Sequence, residues 1–185
     1  MPTVVSHAVA AVALISAFPE RMVPRRMLLL GAVCSMVPDA DVIGFRFGVR
    51  YGDLLGHRGL SHSIAFAAVF ASFALLAARL TPRAHRGLVW LYLFLATASH
   101  GLLDAMTDGG LGVALLSPFD STRYFFPYTP IEVSPIGARF FSAHGLSVLL
   151  CEFRWVWLPS LAFAAVAFFI RKLLTPRSTS DDQPA

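Results

Sequence analysis

Long apolar runs, separated by short polar or basic segments, dominate this sequence of 185 residues. A run of about 17 to 25 apolar residues can cross the hydrocarbon of a bilayer as a helix, whereas several such runs are too many for the core of one small soluble domain. Hydrophobic residues make up 56% of the chain and charged residues only 14%, against roughly 25% charged residues in soluble domains. The runs therefore predict an all-α, polytopic integral membrane protein that folds as a helical bundle.

The spacing of the runs predicts about five membrane spans and one shorter apolar segment. The spans cover residues 4–18, 27–37, 62–80, 87–106 and 155–170, and residues 140–150 are predicted to form a short re-entrant or interfacial helix. The second span is predicted to end before Pro38, because proline disfavours helical backbone at the preceding residue. A loop rich in proline and aromatic residues, 118–135, is expected at the membrane surface. We expect one domain over 1–175 and a disordered polar tail over 176–185.

Basic residues are distributed unevenly over the two ends of this predicted bundle. With five spans, nine of them fall at one end: Arg21, Arg25, Arg26, Arg79, Arg83, Arg86, Arg171, Lys172 and Arg177. The other six fall at the opposite end, so the positive-inside rule places the first end in the cytoplasm. If 140–150 also crossed the membrane, the tail would change sides and the count would become six against nine. Because the arginines are scattered between apolar runs, nucleic acid is not an expected partner.

Histidine and aspartate residues concentrate at the predicted outer end of the bundle. Seven of them come from four spans and one outer loop: His7, Asp39, Asp41, His57, His62, His100 and Asp104. His100 and Asp104 are four residues apart on a helix, which places both side chains on one face. Asp39 and Asp41 follow Pro38, and on extended backbone they would also share one face. Ionisable residues in a membrane cost about 2.5 to 3.5 kcal/mol each, so an ion that pairs them is expected.

Imidazoles and carboxylates without thiolates predict a site for a divalent metal. This ligand chemistry favours zinc, and manganese or iron is also compatible with it. Seven candidates exceed the four ligands of one tetrahedral ion, so either two ions or one ion with outer carboxylates that orient the imidazoles would fit. Cys34 and Cys151 lie in apolar stretches without a CxxC pair, which indicates neither a disulfide framework nor a thiolate site.

The order of these residues resembles a known family. An N-terminal histidine is followed by PDAD at 38–41, HRGLSHS at 57–63 and HGLLD at 100–104, then by a short apolar stretch and a Pro-Phe aromatic loop. This order, over about the first 130 residues, is similar to the YdjM-like family of bacterial inner-membrane proteins described as membrane-bound metal-dependent hydrolases. The resemblance implies a helical protein of the inner membrane whose metal site is built from the seven residues above.

A fainter likeness joins the same order to the zinc phospholipase C and nuclease class of trinuclear zinc enzymes. The sequence departs from that class because Val148, rather than a carboxylate, follows His144 at the fourth position. A full three-metal cluster is therefore not expected.

Metal-dependent hydrolysis of a lipid or lipid-linked phosphoester at the periplasmic face is the predicted function. A divalent ion activates water at neutral pH and polarises a phosphoryl oxygen, and Asp39 or Asp41 is predicted to be the general base. Arg58 and Arg123 are predicted to hold the substrate phosphate, because guanidinium binds anions through two parallel hydrogen bonds. The same cluster would also suit a metal or proton transporter, or a structural metal site in a protein without catalytic activity.

Overall fold

The computed structural model describes residues 1–77, 85–135 and 140–174. Within these residues the chain forms six α-helices and no β-sheet: α1 (Val4–Leu14), α2 (Met27–Met36), α3 (Ile64–Ala77), α4 (Arg86–Ala105), α5 (Ala143–Glu152) and α6 (Leu158–Leu174). The predicted all-α membrane bundle is confirmed. The predicted disordered tail, 176–185, and residues 81–84 of the basic turn between the third and fourth spans lie outside the described residues.

Helix α2 ends at Met36, before Pro38 as predicted, but the helical run of the second span does not end there. A 3₁₀-helix, Val37–Phe47, follows α2 directly, with Pro38 in its first turn. Pro38 has no N–H group to continue the hydrogen bonding of α2, and its fixed φ angle suits the helix that follows. The combined apolar run Met27–Phe47 has 21 residues, which is enough to cross a membrane. Gly48, with a φ angle of +81°, ends it in the left-handed conformation that glycine favours.

The last two helices are continuous with each other. A π-helical turn, Phe153–Trp157, joins α5 to α6, so that Ala143–Leu174 is one helical run of 32 residues. At 1.5 Å per residue this run is about 48 Å long, whereas the hydrocarbon of a bilayer is about 30 Å thick. The predicted short segment 140–150 therefore supplies the first turns of the last span, and part of the run extends beyond the hydrocarbon.

Five apolar helical runs correspond to the five predicted spans. Met27–Phe47, Arg86–Ala105 and Ala143–Leu174 have the length and composition to cross a membrane, and Val4–Ala17 and Ile64–Ala77 are shorter apolar helices. α4 packs against α1, α2 and α3 at the centre of the bundle, while α6 packs against α1. Most of the last helix is exposed and apolar, as is expected of a surface that faces lipid.

An apolar core fills one half of the bundle. It consists of Phe18, Val23, Met27, Cys34, Ala71, Ala74, Val89, Tyr92 and Leu93. Close packing here depends on Gly31, because a Cβ atom at that position would lie 2.1 Å from the hydroxyl oxygen of Tyr92. The Tyr92 hydroxyl donates a hydrogen bond to the carbonyl of Ala11, at 3.2 Å. This half of the bundle is held together by packing, with its buried hydroxyl paired.

Candidate metal centre

The seven predicted ligands converge at the end of the bundle where α1 begins and α4 ends. They come from α1, the 3₁₀-helix after α2, the loop before α3 and the last turns of α4. Their side chains are all buried, with at most 7% of any one exposed. We call His7, Asp39, Asp41, His57, His62, His100 and Asp104 the metal cluster. The predicted convergence of these residues is confirmed.

Nitrogen and oxygen atoms from different elements lie close together in the cluster. His62 Nε2 is 3.3 Å from Asp104 Oδ2 and 3.8 Å from Asp39 Oδ1. His100 Nε2 is 3.3 Å from Asp39 Oδ1 and 3.0 Å from His62 Nε2. His7 Nε2 is 3.5 Å from Asp104 Oδ1, and its ring stacks on that of His100 with a centroid separation of 3.7 Å. The side chains thus point their donor atoms at a shared centre.

Two groups of ligand atoms can be distinguished in this arrangement. One comprises Asp39, His57, His62 and Asp104, and the other comprises His7, Asp39 and His100. Within each group, all the ligand atoms lie within 4.8 Å of one another. Asp39 belongs to both groups. The cluster therefore offers two neighbouring positions for an ion, with one carboxylate between them.

Unpaired polar atoms test whether a metal fits these residues. Among the described residues, both oxygens of Asp39, both oxygens of Asp104 and both nitrogens of His7 are buried without a hydrogen-bond partner. Buried polar atoms are almost always hydrogen-bonded, so several orphans in one place require another partner. Zinc bonds of about 2.0 to 2.1 Å in tetrahedral geometry place ligand atoms roughly 3.3 Å apart. The separations of 3.3 to 3.8 Å between His62, Asp104 and Asp39 match that requirement.

Contacts made by the Nδ1 atoms of the imidazole rings orient the Nε2 atoms towards the centre of the cluster. His57 Nδ1–H donates to Asp41 Oδ1 at 2.7 Å, and His62 Nδ1 lies 3.2 Å from Asp41 Oδ2. His100 Nδ1–H donates to the carbonyl oxygen of Ser35 at 2.6 Å. Such contacts fix the tautomer and the ring orientation of metal-binding histidines, and they leave Nε2 to bind the ion. Asp41 is thereby an orienting partner of two histidines.

Asp39 and Asp41 do not share one face, as the sequence had led us to expect. A 3₁₀-helix has 3.0 residues per turn, so side chains two residues apart point about 120° away from each other. Asp39 points towards His62 and His100, whereas Asp41 points towards His57 and Ser61. The Ser61 hydroxyl donates to Asp41 Oδ2 at 2.6 Å. The two carboxylates accordingly have different surroundings and different capacities to bind an ion.

Carboxylates surround His62 and make its imidazole strongly basic. Burial by itself would lower the pKa of His62, but the contacts with Asp104, Asp39 and Asp41 outweigh it and raise that pKa to about 10. The imidazole is then protonated at neutral pH when no other cation is bound. A metal ion that binds through Nε2 must displace this proton, so metal binding and proton release are coupled.

The side chain of Arg58, which was predicted to hold a substrate phosphate, points into the cluster. Its side chain is 1% exposed, and Nε lies 3.2 Å from Asp104 Oδ2. The terminal nitrogens donate to the carbonyl of Gly109 and to the hydroxyl of Thr107, each at 2.8 Å. Arg58 also has a φ angle of +62°, a conformation that costs about 1 to 3 kcal/mol in a residue other than glycine. This geometry makes Arg58 a buried partner that holds Asp104 in place.

Arg123 connects the aromatic loop to the segment that carries His57. Its terminal nitrogens donate to the backbone carbonyls of His57 at 2.9 Å, Tyr51 at 3.2 Å and Asp53 at 3.3 Å. The guanidinium also lies over the ring of Tyr51, 5.9 Å from its centroid. Arg123 is half-buried and so remains a candidate for contact with a substrate anion.

Comparisons with known proteins agree with the residue pattern. Residues 1–174 match the model of the family described as YdjM inner membrane protein. The chain belongs to the YdjM family. It is 38% identical over 173 residues to "Inner membrane protein YbcI" of Escherichia coli (strain K12), a match that covers 93% of this chain and 100% of that relative. No solved structure matches the chain.

Sequence reasoning missed one buried acidic residue of this YdjM-family protein, Glu152. It lies at the end of α5 with 0% exposure and is separate from both groups of candidate ligands. The signal was a single glutamate in the apolar stretch 146–157, because an acidic residue at membrane depth is rare without a partner. From the sequence, one helix was predicted to end at residue 150 and the next to begin at residue 155. Glu152 was therefore placed in a connection between helices, where a charged residue is common.

Proposed function

We propose that this YdjM-family protein is a membrane-embedded, metal-dependent hydrolase that acts on a lipid or lipid-linked phosphoester. The observation that carries the proposal is the set of unpaired, buried carboxylate and imidazole atoms spaced as metal ligands. A purely structural cluster would be more stable with hydrogen bonds in place of these orphans, because each one costs about 1 to 3 kcal/mol. The cost is accounted for if a divalent cation binds there.

Zinc is the ion that the donor set favours, because imidazole and carboxylate donors are typical of catalytic zinc sites, which have three protein ligands and one position open to water. Asp39, His57, His62 and Asp104 would hold one ion, while His7, His100 and the shared Asp39 would hold a second. When bound, such an ion supplies Lewis-acid activation of water and polarisation of a phosphoryl oxygen. Arg58 Nε, 3.2 Å from Asp104 Oδ2, fixes the position of that carboxylate.

Asp41 is the residue that we assign to proton transfer. It lies outside both ligand groups, and it accepts a hydrogen bond from Ser61, whose side chain is half-buried. The exposed residue Ala40 lies next to it in the chain. Water that attacks from this side can pass its proton to Asp41 through the Ser61 hydroxyl, as water forms the new bond to phosphorus and the ester P–O bond breaks; the departing alkoxide takes up a proton and leaves as the alcohol. Asp39, enclosed by His62 and His100, is better placed as a ligand.

A lipid or lipid-linked substrate is proposed from the surroundings of the cluster. The loop 118–135, which Arg123 ties to the His57 segment, presents exposed aromatic side chains, among them Phe119, Phe125 and Tyr128. Aromatic residues are favoured at the level of lipid headgroups. A phosphoester headgroup held at that level would lie beside the cluster. We place this face in the periplasm on the arginine count, since the loop 19–26 and the end of α6 share the opposite end of the bundle.

A transport function receives less support. An ion pathway needs polar side chains through the membrane, whereas the core beyond the cluster is filled by Cys34, Ala71, Tyr92 and Leu93. Within the described residues, the candidate ligands are confined to one end of the bundle.

The test is hydrolysis by the purified protein in detergent or in vesicles of defined lipid. A panel of phospholipids and isoprenoid-linked phosphates is incubated with wild-type protein, His62→Ala and the matched control His144→Ala. His144 is half-exposed and pairs with Glu132, away from the cluster. We expect metal-dependent release of product by the wild type and by His144→Ala, and at least a roughly hundredfold lower rate for His62→Ala. Equal rates for all three proteins, or no turnover of any member of the panel, would refute the proposal.

A further inference from the structure

Glu152 is a buried carboxylate that the proposed chemistry does not use. Its oxygens accept three hydrogen bonds from the beginning of α1: the Thr3 backbone N–H donates at 2.5 Å, the Thr3 hydroxyl at 2.6 Å and the Ser6 hydroxyl at 2.5 Å. The three residues are at most 7% exposed. The last span of the chain is thereby attached to the first turn of the first span, 149 residues away in sequence.

The charge of Glu152 suits this location. The first N–H groups of an α-helix have no intrahelical acceptor, and the helix dipole places partial positive charge there. Thr3 is the N-cap of α1, and its own side chain accepts only from the backbone N–H of Ser6. A carboxylate from another helix satisfies the N–H of Thr3 itself. Hydrogen bonds to an ionised acceptor are about twice as strong as those between neutral groups.

The π-helical turn after Glu152 adds a further contact with α1. On a regular α-helix, residues five apart point about 140° away from each other. The π turn Phe153–Trp157 is closed by i→i+5 hydrogen bonds, which bring Trp157 nearly onto the face of Glu152. Trp157 Nε1–H then donates to the Ser6 hydroxyl at 2.7 Å. Ser6 is consequently held by both residues. Turns of this kind occur frequently at functional sites.

The residue that follows Ser6 is the ligand candidate His7. His7 is the member of the metal cluster that α1 supplies, and among the described residues neither of its nitrogens has a hydrogen-bond partner. Its ring position is therefore set by the backbone of α1, by stacking on His100 and by the contact of Nε2 with Asp104 at 3.5 Å. We propose that Glu152, supported by Trp157, is a positioning residue that fixes the beginning of α1 and thereby holds His7 in the metal cluster. This inference rests on the proposed function only for the role of His7 as a ligand.

The test measures the position of His7 directly. Full-length protein, as purified in detergent, is treated with diethyl pyrocarbonate, and modification of each histidine is followed by mass spectrometry. We compare wild type with Glu152→Gln, with the smaller change Ser6→Ala, and with Glu132→Gln as a matched control. Glu132 pairs with His144 at the beginning of α5, so its replacement leaves α1 intact. The number of bound divalent ions per chain is measured on the same samples, with His7→Ala as the reference.

We expect the modification rate of His7 to rise about tenfold or more in Glu152→Gln and less in Ser6→Ala, with no rise in Glu132→Gln, because local opening of α1 exposes the ring. His57, His62 and His100 stay protected. If the wild-type protein binds divalent ions, we expect Glu152→Gln to lose as many ions per chain as His7→Ala loses. This selective loss separates positioning from a general loss of stability.

Unchanged protection of His7 in both Glu152→Gln and Ser6→Ala would overturn the inference. If Glu152→Gln exposes all four histidines equally, that variant is globally unfolded, and the result for Ser6→Ala decides whether the inference holds. Selective exposure of His7 in Ser6→Ala supports the inference. Unchanged protection, or equal exposure of all four histidines, refutes it. The modification rates give this answer whether or not ions are bound. The ion measurement tests the proposed function separately, because that function fails if the wild-type protein binds no divalent ion.

Discussion

The two ends of the helical bundle are buried to a similar degree, but they are built from different chemistry. In the apolar core, side chains such as Val89, Tyr92 and Leu93 are 0% exposed, and the buried hydroxyl of Tyr92 has a partner. In the metal cluster, Asp104 and His7 are also 0% exposed, yet their polar atoms have no hydrogen-bond partner among the described residues. Helix α4 contributes to both ends, with Val89, Tyr92 and Leu93 in the apolar core and with His100 and Asp104 in the cluster.

The difference indicates which end is built for binding. Packing explains the apolar core, since each side chain there gains contacts by being buried. Packing cannot explain the cluster, because buried carboxylates without hydrogen bonds reduce stability. Arg58 and Asp41 contact members of the cluster, and Glu152 binds the beginning of α1, which supplies His7. Variants at each end test this division, with the largest effect expected for Asp104→Ala and the smallest for one unit of pH.

The largest effect is expected for Asp104→Ala. The substitution removes a ligand candidate and leaves Arg58, which is 1% exposed, without its carboxylate at 3.2 Å. An unpaired buried charge costs about 3 to 5 kcal/mol of stability, and we expect this loss together with loss of bound metal. Denaturant titration in mixed micelles and elemental analysis measure the two quantities. If Asp104→Ala is as stable as the wild type, Arg58 and Asp104 do not form the buried ion pair that the geometry indicates.

A comparable loss of stability without loss of metal is expected for Leu93→Ala in the apolar core. Leu93 is 0% exposed, and truncation of a buried leucine costs about 2 to 5 kcal/mol through lost contacts and a cavity. The folded fraction of this variant should still bind as many ions as the wild type. Metal loss in folded Leu93→Ala would mean that the two ends of the bundle are not independent.

A smaller effect on affinity is expected for Asp41→Asn. This side chain orients His57 through a 2.7 Å hydrogen bond and His62 from 3.2 Å, but it belongs to neither ligand group. Loss of such an orienting partner typically lowers metal affinity by about 10- to 100-fold, and we expect a decrease in this range, with metal still bound at saturation. Competition with a chelator of known affinity provides the measurement. Complete loss of metal would instead identify Asp41 as a ligand.

The smallest expected effect is the change in metal affinity caused by a single unit of pH. The pKa of His62 is raised to about 10 in the ion-free protein, so below that pH an incoming ion must displace one proton. Metal affinity should therefore fall about tenfold for each pH unit of acidification between 8 and 6. Calorimetry in buffers of different ionisation enthalpy counts the protons released. Affinity independent of pH would show that His62 is not protonated in the ion-free state.

The sequence was sufficient to predict the helical membrane fold and the convergence of the cluster. Apolar runs of membrane length locate helices, and alternating helix directions decide which polar residues share an end, so His7, His62 and Asp104 could be grouped without coordinates. The i, i+4 spacing of His100 and Asp104 also gave the correct face, and the structure places His100 Nε2 4.0 Å from Asp104 Oδ2.

Other features depend on contacts between distant segments and could not be predicted. Pro38 follows the end of α2 at Met36, which the sequence predicted, but it also lies in the first turn of the 3₁₀-helix that continues the run, which the sequence did not reveal. The inward direction of Arg58 depends on Thr107 and Gly109, about fifty residues later in the chain. Glu152 finds its donors at Thr3 and Ser6, which no local pattern relates to it.

The most direct test of the central claim is the divalent-ion content of the purified protein and of Asp39→Asn. Asp39 belongs to both groups of candidate ligands, so its replacement affects every ion position that the cluster offers. We predict one or two ions per chain in the wild type, with zinc the most abundant, and a loss of all of them in folded Asp39→Asn. The same ion content in both proteins, or a wild-type protein without ions after purification in zinc-supplemented buffer, would contradict the account.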